Sequence, residues 1–222
     1  MSIKENLQNI KSTIPEQVTL VAVSKTKPIS DLMEAYNAGQ RIFGENKIQE
    51  MVDKYEDMPK DVEWHMIGHV QRNKVKYMAE FVSLIHGVDS FKLLKEINKR
   101  AKSHDRVIDC LLQIKIAEED SKFGMSAKDA SSLLQSEAFS ELKNIRIVGL
   151  MGMATFTDDM KQVESEFKFL KSTFDALKPL QTENCQLQTI SMGMSGDYQL
   201  AIDCGSNMIR VGSSIFGARN YN

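Results

Sequence analysis

Residues 18–39 read VTLVAVSKTKPISDLMEAYNAG. The opening seven, VTLVAVS (18–24), are rich in β-branched residues and carry no charge. A strand that is apolar on both faces belongs inside a parallel sheet covered by helices. The closing part, ISDLMEAYNAG (29–39), sets Leu32, Met33 and Tyr36 on one helical stripe and stops at Gly39, a natural helix end. Strand, polar turn and helix make one β-then-α unit.

The unit recurs. Candidate strands lie at RIFG (41–44), EWHMIG (63–68), SLIHGV (83–88), VIDCLLQIKI (107–116), IRIVGLM (145–151), LQTISM (187–192) and MIRVG (208–212). Between them, FKLLKEINKRA puts Phe91, Leu94, Ile97 and Ala101 on one helical face. KQVESEFKFLKSTFDALK spaces Val163, Phe167, Leu170, Phe174 and Leu177 as a buried stripe. Ser126 with Asp129 predicts a capping box. Ahead of the first strand, Ile3, Leu7 and Ile10 behind Ser2 and Glu5 predict an extra N-terminal helix. About eight such units predict a single (β/α)₈ TIM barrel over residues 1–222. An open doubly wound sheet is the alternative, because periodicity does not reveal closure.

Length and composition agree with that class. The chain has 222 residues, about one and a half ordinary domains, and barrels routinely reach this size as one. Apolar residues are 42% and charged residues 26%, a globular balance that excludes disorder. No stretch approaches the ~18 continuous apolar residues of a membrane span, and MSIKENLQNIKSTIPEQ has the pattern of neither a signal peptide nor an anchor. Lys and Arg total 28 against 30 Asp and Glu, a net charge of −2. That balance removes the footprint of a nucleic-acid or anionic-membrane binder. The three cysteines, Cys110, Cys185 and Cys204, show no zinc-ligand spacing, and their odd count argues against a disulfide framework. They are expected to be packing residues in a cytoplasmic, reducing environment.

In a parallel barrel the functional groups gather where strands end and the next loop begins. Lys25 follows VTLVAVS directly. An amine beside apolar walls has its pKa lowered, and a neutral amine condenses with an aldehyde. An ammonium snorkelling to the rim is the simpler reading of this segment alone. Lys27 shares the strand parity of Lys25, so alternation does not choose between them. Gly193-Met194-Ser195-Gly196-Asp197 and Gly212-Ser213-Ser214 form the loops after strands seven and eight. Glycine N–H groups and serine hydroxyls there suit a phosphate, as often in such barrels, although tight turns with serine caps look the same. Arg210 points from the second loop. No Walker loop or GxGxxG is present, so a nucleotide is not the natural ligand. His65 and His69 stand four apart, but WHMIG places the first on a strand and the second in a loop, so no metal site is expected. The 13 methionines are read as core filling.

Taken together, VAVSKTKP (21–28), RIFGENKIQE (41–50), EWHMIGHVQRNKVK (63–76), SKFGMS (121–126), GLMGMAT (149–155), SMGMSGD (191–197) and IRVGSSIFGARNY (209–221) resemble the YggS/PROSC family of pyridoxal phosphate homeostasis proteins. The segments run through practically the whole chain in order. The resemblance implies a barrel like the N-terminal domain of alanine racemase that holds pyridoxal 5′-phosphate. Lys25 matches the lysine that carries the cofactor as a covalent aldimine. Ser195, Gly212 and Ser213 match phosphate-binding positions, Arg210 the residue facing the pyridine nitrogen, and Asn46 a residue lining the pocket beside the ring. The family often has threonine where Ser213 stands, and either hydroxyl can donate to phosphate. His69 is given no direct cofactor contact.

Three functions are then in competition. The resemblance favours a non-enzymatic carrier that buffers pyridoxal phosphate and hands it to apo-enzymes, a monomer with no catalytic residues of its own. A cation at the ring nitrogen weakens the ring as an electron sink. Related racemases also draw a second base from an added β-domain, for which a barrel of this length leaves no room. The second function is a pyridoxal phosphate enzyme with weak amino-acid racemase activity. The third is a Schiff-base aldolase acting on a sugar phosphate without cofactor.

Overall fold

In a computed structural model, residues 2–118 and 123–218 are described. Ser121 and Lys122 of the SKFGMS segment, and Arg219 to Tyr221 of the last one, lie outside the described residues. The elements run α1 (Ile3–Thr13), β1 (Thr19–Val23), α2 (Ile29–Asn37), β2 (Ile42–Glu45), α3 (Ile48–Asp57) and β3 (Glu63–Met66). A 3₁₀ helix (Arg72–Tyr77) leads to β4 (Leu84–Val88), α4 (Phe91–Lys102) and β5 (Ile108–Gln113). Then come α5 (Ala127–Leu134), α6 (Glu137–Ser140), β6 (Ile145–Met151), α7 (Met160–Leu177), β7 (Cys185–Ser191), α8 (Tyr198–Asp203), β8 (Met208–Val211) and α9 (Ser213–Phe216).

All eight expected strands form, and each pairs in parallel with its neighbour. β1 also pairs with β8, from Thr19 opposite Met208 to Ala22 opposite Val211. The sheet is therefore a closed barrel, and the open-sheet alternative falls away. Alternation divides the apolar side chains into two layers. Leu20 and Ala22 of β1 face the helices in the large core, whereas Val21 and Val23 belong to a smaller cluster with Ile67, Leu111, Met151 and Met208 inside the barrel. The predicted stripe of α7 is buried throughout, from Val163 to Leu177. Each such side chain contributes about 1.5–3 kcal/mol by leaving water.

The N-terminal capping box is present: the Glu5 N–H donates to Ser2 Oγ at 3.2 Å, and the Ser2 N–H donates to Glu5 Oε2 at 2.8 Å. Ser126 caps α5 in the predicted way, accepting the Asp129 N–H at 3.0 Å. Three expectations shift. On α4 it is Leu93, with Leu94, Ile97 and Ala101, that is buried, while Phe91 at the first turn is only half-buried. The third unit carries only the 3₁₀ helix, because RNKVKY offers a single buried side chain, Val75, and no longer stripe. β5 stops at Gln113 rather than running on to Ile116. There the chain pairs instead with Met125, whose N–H donates to the Gln113 carbonyl at 2.9 Å.

Candidate functional site

The C-terminal ends of the strands surround a cavity of about 510 Å³. The structure brings Lys25, Asn46, Ser195, Arg210, Gly212 and Ser213 to its walls together. Lys25 continues the inward parity of Val21 and Val23. Lys27 also borders the cavity, but its Nζ donates to the carbonyls of Phe216 at 2.8 Å and Ala218 at 3.2 Å.

Asn46 leaves β2 beside Gly68, where a Cβ would stand 2.3 Å from the Asn46 carbonyl oxygen. Only glycine admits that approach of the two backbones. Across the mouth, Gly193 has φ +97° and a Cβ there would sit 2.6 Å from Ala201 Cβ. The loop after β7 thus folds tightly onto α8, and its Ser195 Oγ accepts the Gly212 N–H at 3.2 Å. Hydroxyl and backbone donors from the loops after β7 and β8 are gathered at one place.

Arg210 is only 4% exposed. Its Nη1 donates to Ser191 Oγ at 2.6 Å and its Nη2 to the Gly152 carbonyl at 3.0 Å. Burial lowers its pKa to about 10, with Asp197 opposing the shift, so the guanidinium remains a cation at neutral pH. From Ser191 a hydrogen-bonded chain runs down the barrel interior: Ser191 Oγ to His86 Nδ1 at 3.0 Å, then His86 Nε2 to His65 Nδ1 at 3.1 Å. Burial drives His65 down to about 3. It drives His86 well below its usual value too, reinforced by His65 and Arg210. Both rings are neutral, so one of the two facing nitrogens carries the proton and the other accepts it.

His69 sits apart in the loop after β3, stacked on Phe123 at 4.0 Å with Asp89 Oδ2 3.5 Å from its Nδ1. Among the described residues, no group of three His, Cys, Asp or Glu side chains is placed to hold a metal ion. Cys110 and Cys185 are buried, and burial raises both thiols, Cys185 to about 11.

A family profile described as the alanine racemase N-terminal domain matches residues 1–220. A curated pyridoxal phosphate homeostasis protein of Pasteurella multocida is 38% identical over 234 residues, covering 100% of this chain and 99% of its own. The chain belongs to the pyridoxal phosphate homeostasis protein family. PipY of Synechococcus elongatus, in a structure with pyridoxal phosphate bound, superposes with a TM-score of 0.88 at 34% identity, over 97% of this chain and 100% of PipY. An alanine racemase of Clostridium difficile shares the fold, with a TM-score of 0.79 at 15% identity, over 100% of this chain and 61% of the racemase.

Within this homeostasis-protein barrel, sequence reading missed the polar chain behind Arg210 and a stack at the cavity wall. His86 lay inside SLIHGV, a segment read only as a strand, and its inward parity was the available signal. Ser191 lay inside LQTISM, likewise read as a strand. His69 and Phe123 both border the cavity, and nothing in the sequence announced their stack. Among the described residues, no helix is long and apolar enough to cross a membrane.

Proposed function

We propose that residues 1–222 act as one domain that binds pyridoxal 5′-phosphate, holds it covalently as an aldimine on Lys25, and carries it in the cytoplasm for delivery to apo-enzymes. The observation that carries this reading is the convergence of Lys25, the buried cation of Arg210 and a cluster of hydroxyl and backbone groups on a single cavity. These groups suit an aldehyde, a ring nitrogen and a phosphate respectively. The family membership and the cofactor in the PipY structure support the same ligand.

Pyridoxal phosphate supplies an electrophilic aldehyde and, when its ring nitrogen is protonated, a sink for carbanion electrons. Arg210, already donating to Ser191 and Gly152, presents a fixed cation that disfavours a proton at that nitrogen. The Ser195 and Ser213 hydroxyls offer donors to the phosphate, the Gly212 N–H can turn to it from Ser195 Oγ, and Asn46 lies beside the ring. Lys25 is preferred to Lys27 because it stands where the family's cofactor-bearing lysine stands, while Lys27 Nζ donates to the carbonyls of Phe216 and Ala218. This arrangement favours retention and exchange of the cofactor over turnover, by a protein working as a monomer.

The test is to load the purified protein with pyridoxal phosphate, reduce it with borohydride, weigh it intact and map the modified peptide. A pyridoxyl group on Lys25, lost in Lys25→Ala, is expected, together with transfer of unreduced cofactor to an apo-enzyme. A label on Lys27 overturns the assignment. Racemisation of amino acids at ordinary enzyme rates of ~1–10³ s⁻¹, abolished by Lys25→Ala, overturns the carrier reading. Absence of a chromophore with cleavage of a sugar phosphate points to the aldolase.

A further inference from the structure

Behind the cavity wall, where β1 and β2 meet α3, lies a buried group of charges that faces away from the site. Ser24 and Glu45 are fully buried, and Lys54 of α3 is 6% exposed. Lys54 Nζ donates three times: to the Ser24 carbonyl at 2.8 Å, to Glu45 Oε1 at 2.8 Å and to Glu50 Oε1 at 2.7 Å. Ser24 Oγ donates to Glu45 Oε1 at 2.6 Å, and Glu50 Oε1 also accepts the Thr26 N–H at 2.5 Å. Glu45 Oε2 is buried with no hydrogen-bond partner among the described residues. Such a cluster is poor value as a stabilising device, because well-packed apolar side chains in its place are often as good or better.

What it grips is the turn that carries Lys25. The Lys27 N–H donates to the Ser24 carbonyl at 3.1 Å, closing a four-residue turn over Lys25 and Thr26. Thr26, third in that turn, has φ +63°. A positive φ at that position suits glycine or asparagine, and a β-branched residue resists it. The residues on both sides of Lys25 are therefore held from α3, through Lys54 and Glu50, and from the end of β2, through Glu45. Ser24 is held by its carbonyl and hydroxyl, and Thr26 by its N–H.

We propose that Glu45, Glu50 and Lys54 are positioning residues for Lys25: they hold the strained turn so that the Lys25 amine enters the cavity on the line needed to attack an aldehyde. The proposal rests on the reading of Lys25 as the covalent attachment point. In that step Nζ and the aldehyde carbon form a C=N bond, and the carbonyl oxygen leaves as water with the two amine protons. Orientation of this kind governs rate strongly, since a displacement of about 1 Å can cost about 100-fold.

The experiment mixes apo protein rapidly with pyridoxal phosphate and follows growth of the visible band, with borohydride reduction and intact mass as the covalent readout. Deoxypyridoxine phosphate, which has a methyl group in place of the aldehyde, reports docking alone. Glu50→Ala removes the acceptor of the Thr26 N–H at a residue near the surface. Glu45→Gln with Lys54→Met removes the buried charges together, so that neither is left unpaired. Both variants are checked by thermal melting. The expected result is covalent capture slowed by about 10- to 100-fold, with affinity for the methyl analogue changed by less than about two-fold. Capture at the wild-type rate in Glu50→Ala overturns the proposal, even if the double variant does not fold. So does an equal loss of capture rate and analogue affinity, which would mark general damage to the pocket. Failure of the wild-type protein to capture the cofactor at all would sink the carrier reading instead.

Discussion

Acidification should destabilise this barrel through a histidine that refuses a proton. His65 is held near 3 by burial, against an ordinary value of 6.5. In the unfolded chain it binds a proton as pH falls through 6.5, whereas in the native barrel it does not. Stability is thus fully present above 6.5 and is lost progressively as pH falls toward 3. The linkage relation gives a loss of about 2 kcal/mol between pH 7 and pH 5 from His65 alone, and about 3 kcal/mol by pH 4. His86 is shifted the same way and adds in the same direction. The assay is equilibrium urea unfolding at pH 7, 6 and 5 for wild type and His65→Gln. The variant is expected to start less stable, because it disturbs the chain to Arg210, but to lose about 2 kcal/mol less on going to pH 5. Carboxylates elsewhere titrate equally in both proteins and cancel in the comparison. Parallel curves, with both proteins losing the same free energy, would refute the reasoning.

Two further outcomes are expected. Ser195→Ala and Ser213→Ala should each weaken pyridoxal phosphate binding by roughly 1.5–3 kcal/mol, the worth of a hydrogen bond to a charged group. In titration calorimetry pyridoxal without its phosphate should bind far less well, and equal affinity of the two forms would reduce the loops to ordinary turns. Gly193→Ala places a methyl group 2.6 Å from Ala201 Cβ at a φ of +97°. It should cost about 2–4 kcal/mol in chemical denaturation, from the left-handed backbone and the overlap together, and wild-type stability would show that the loop relaxes freely.

Much of this architecture was legible because strand and helix periods are local. VTLVAVS and the α7 stripe announce their burial without reference to any other part of the chain. Closure was not legible, since it depends on Thr19 meeting Met208 across nearly the whole sequence. The six site residues came from strand ends and from family likeness, and both are read along the chain. Ser24, Glu45 and Lys54 stayed invisible as a group because each is an ordinary polar residue until α3 folds over β1 and β2. The bonds from Lys27 to the carbonyls of Phe216 and Ala218 were hidden for the same reason, since those partners lie far along the chain.

The pairing of β1 with β8 also bears on how the protein is made. A chain growing on the ribosome exposes one edge of β1 until Met208–Val211 have been synthesised, about 190 residues later. Exposed strand edges invite pairing with other chains, so the chain is open to aggregation during this interval. Lys25 and Arg210 sit on opposite sides of that late seam, at the ends of β1 and β8. A nascent chain therefore lacks the cavity that Lys25 and Arg210 line together until the last strand closes the barrel.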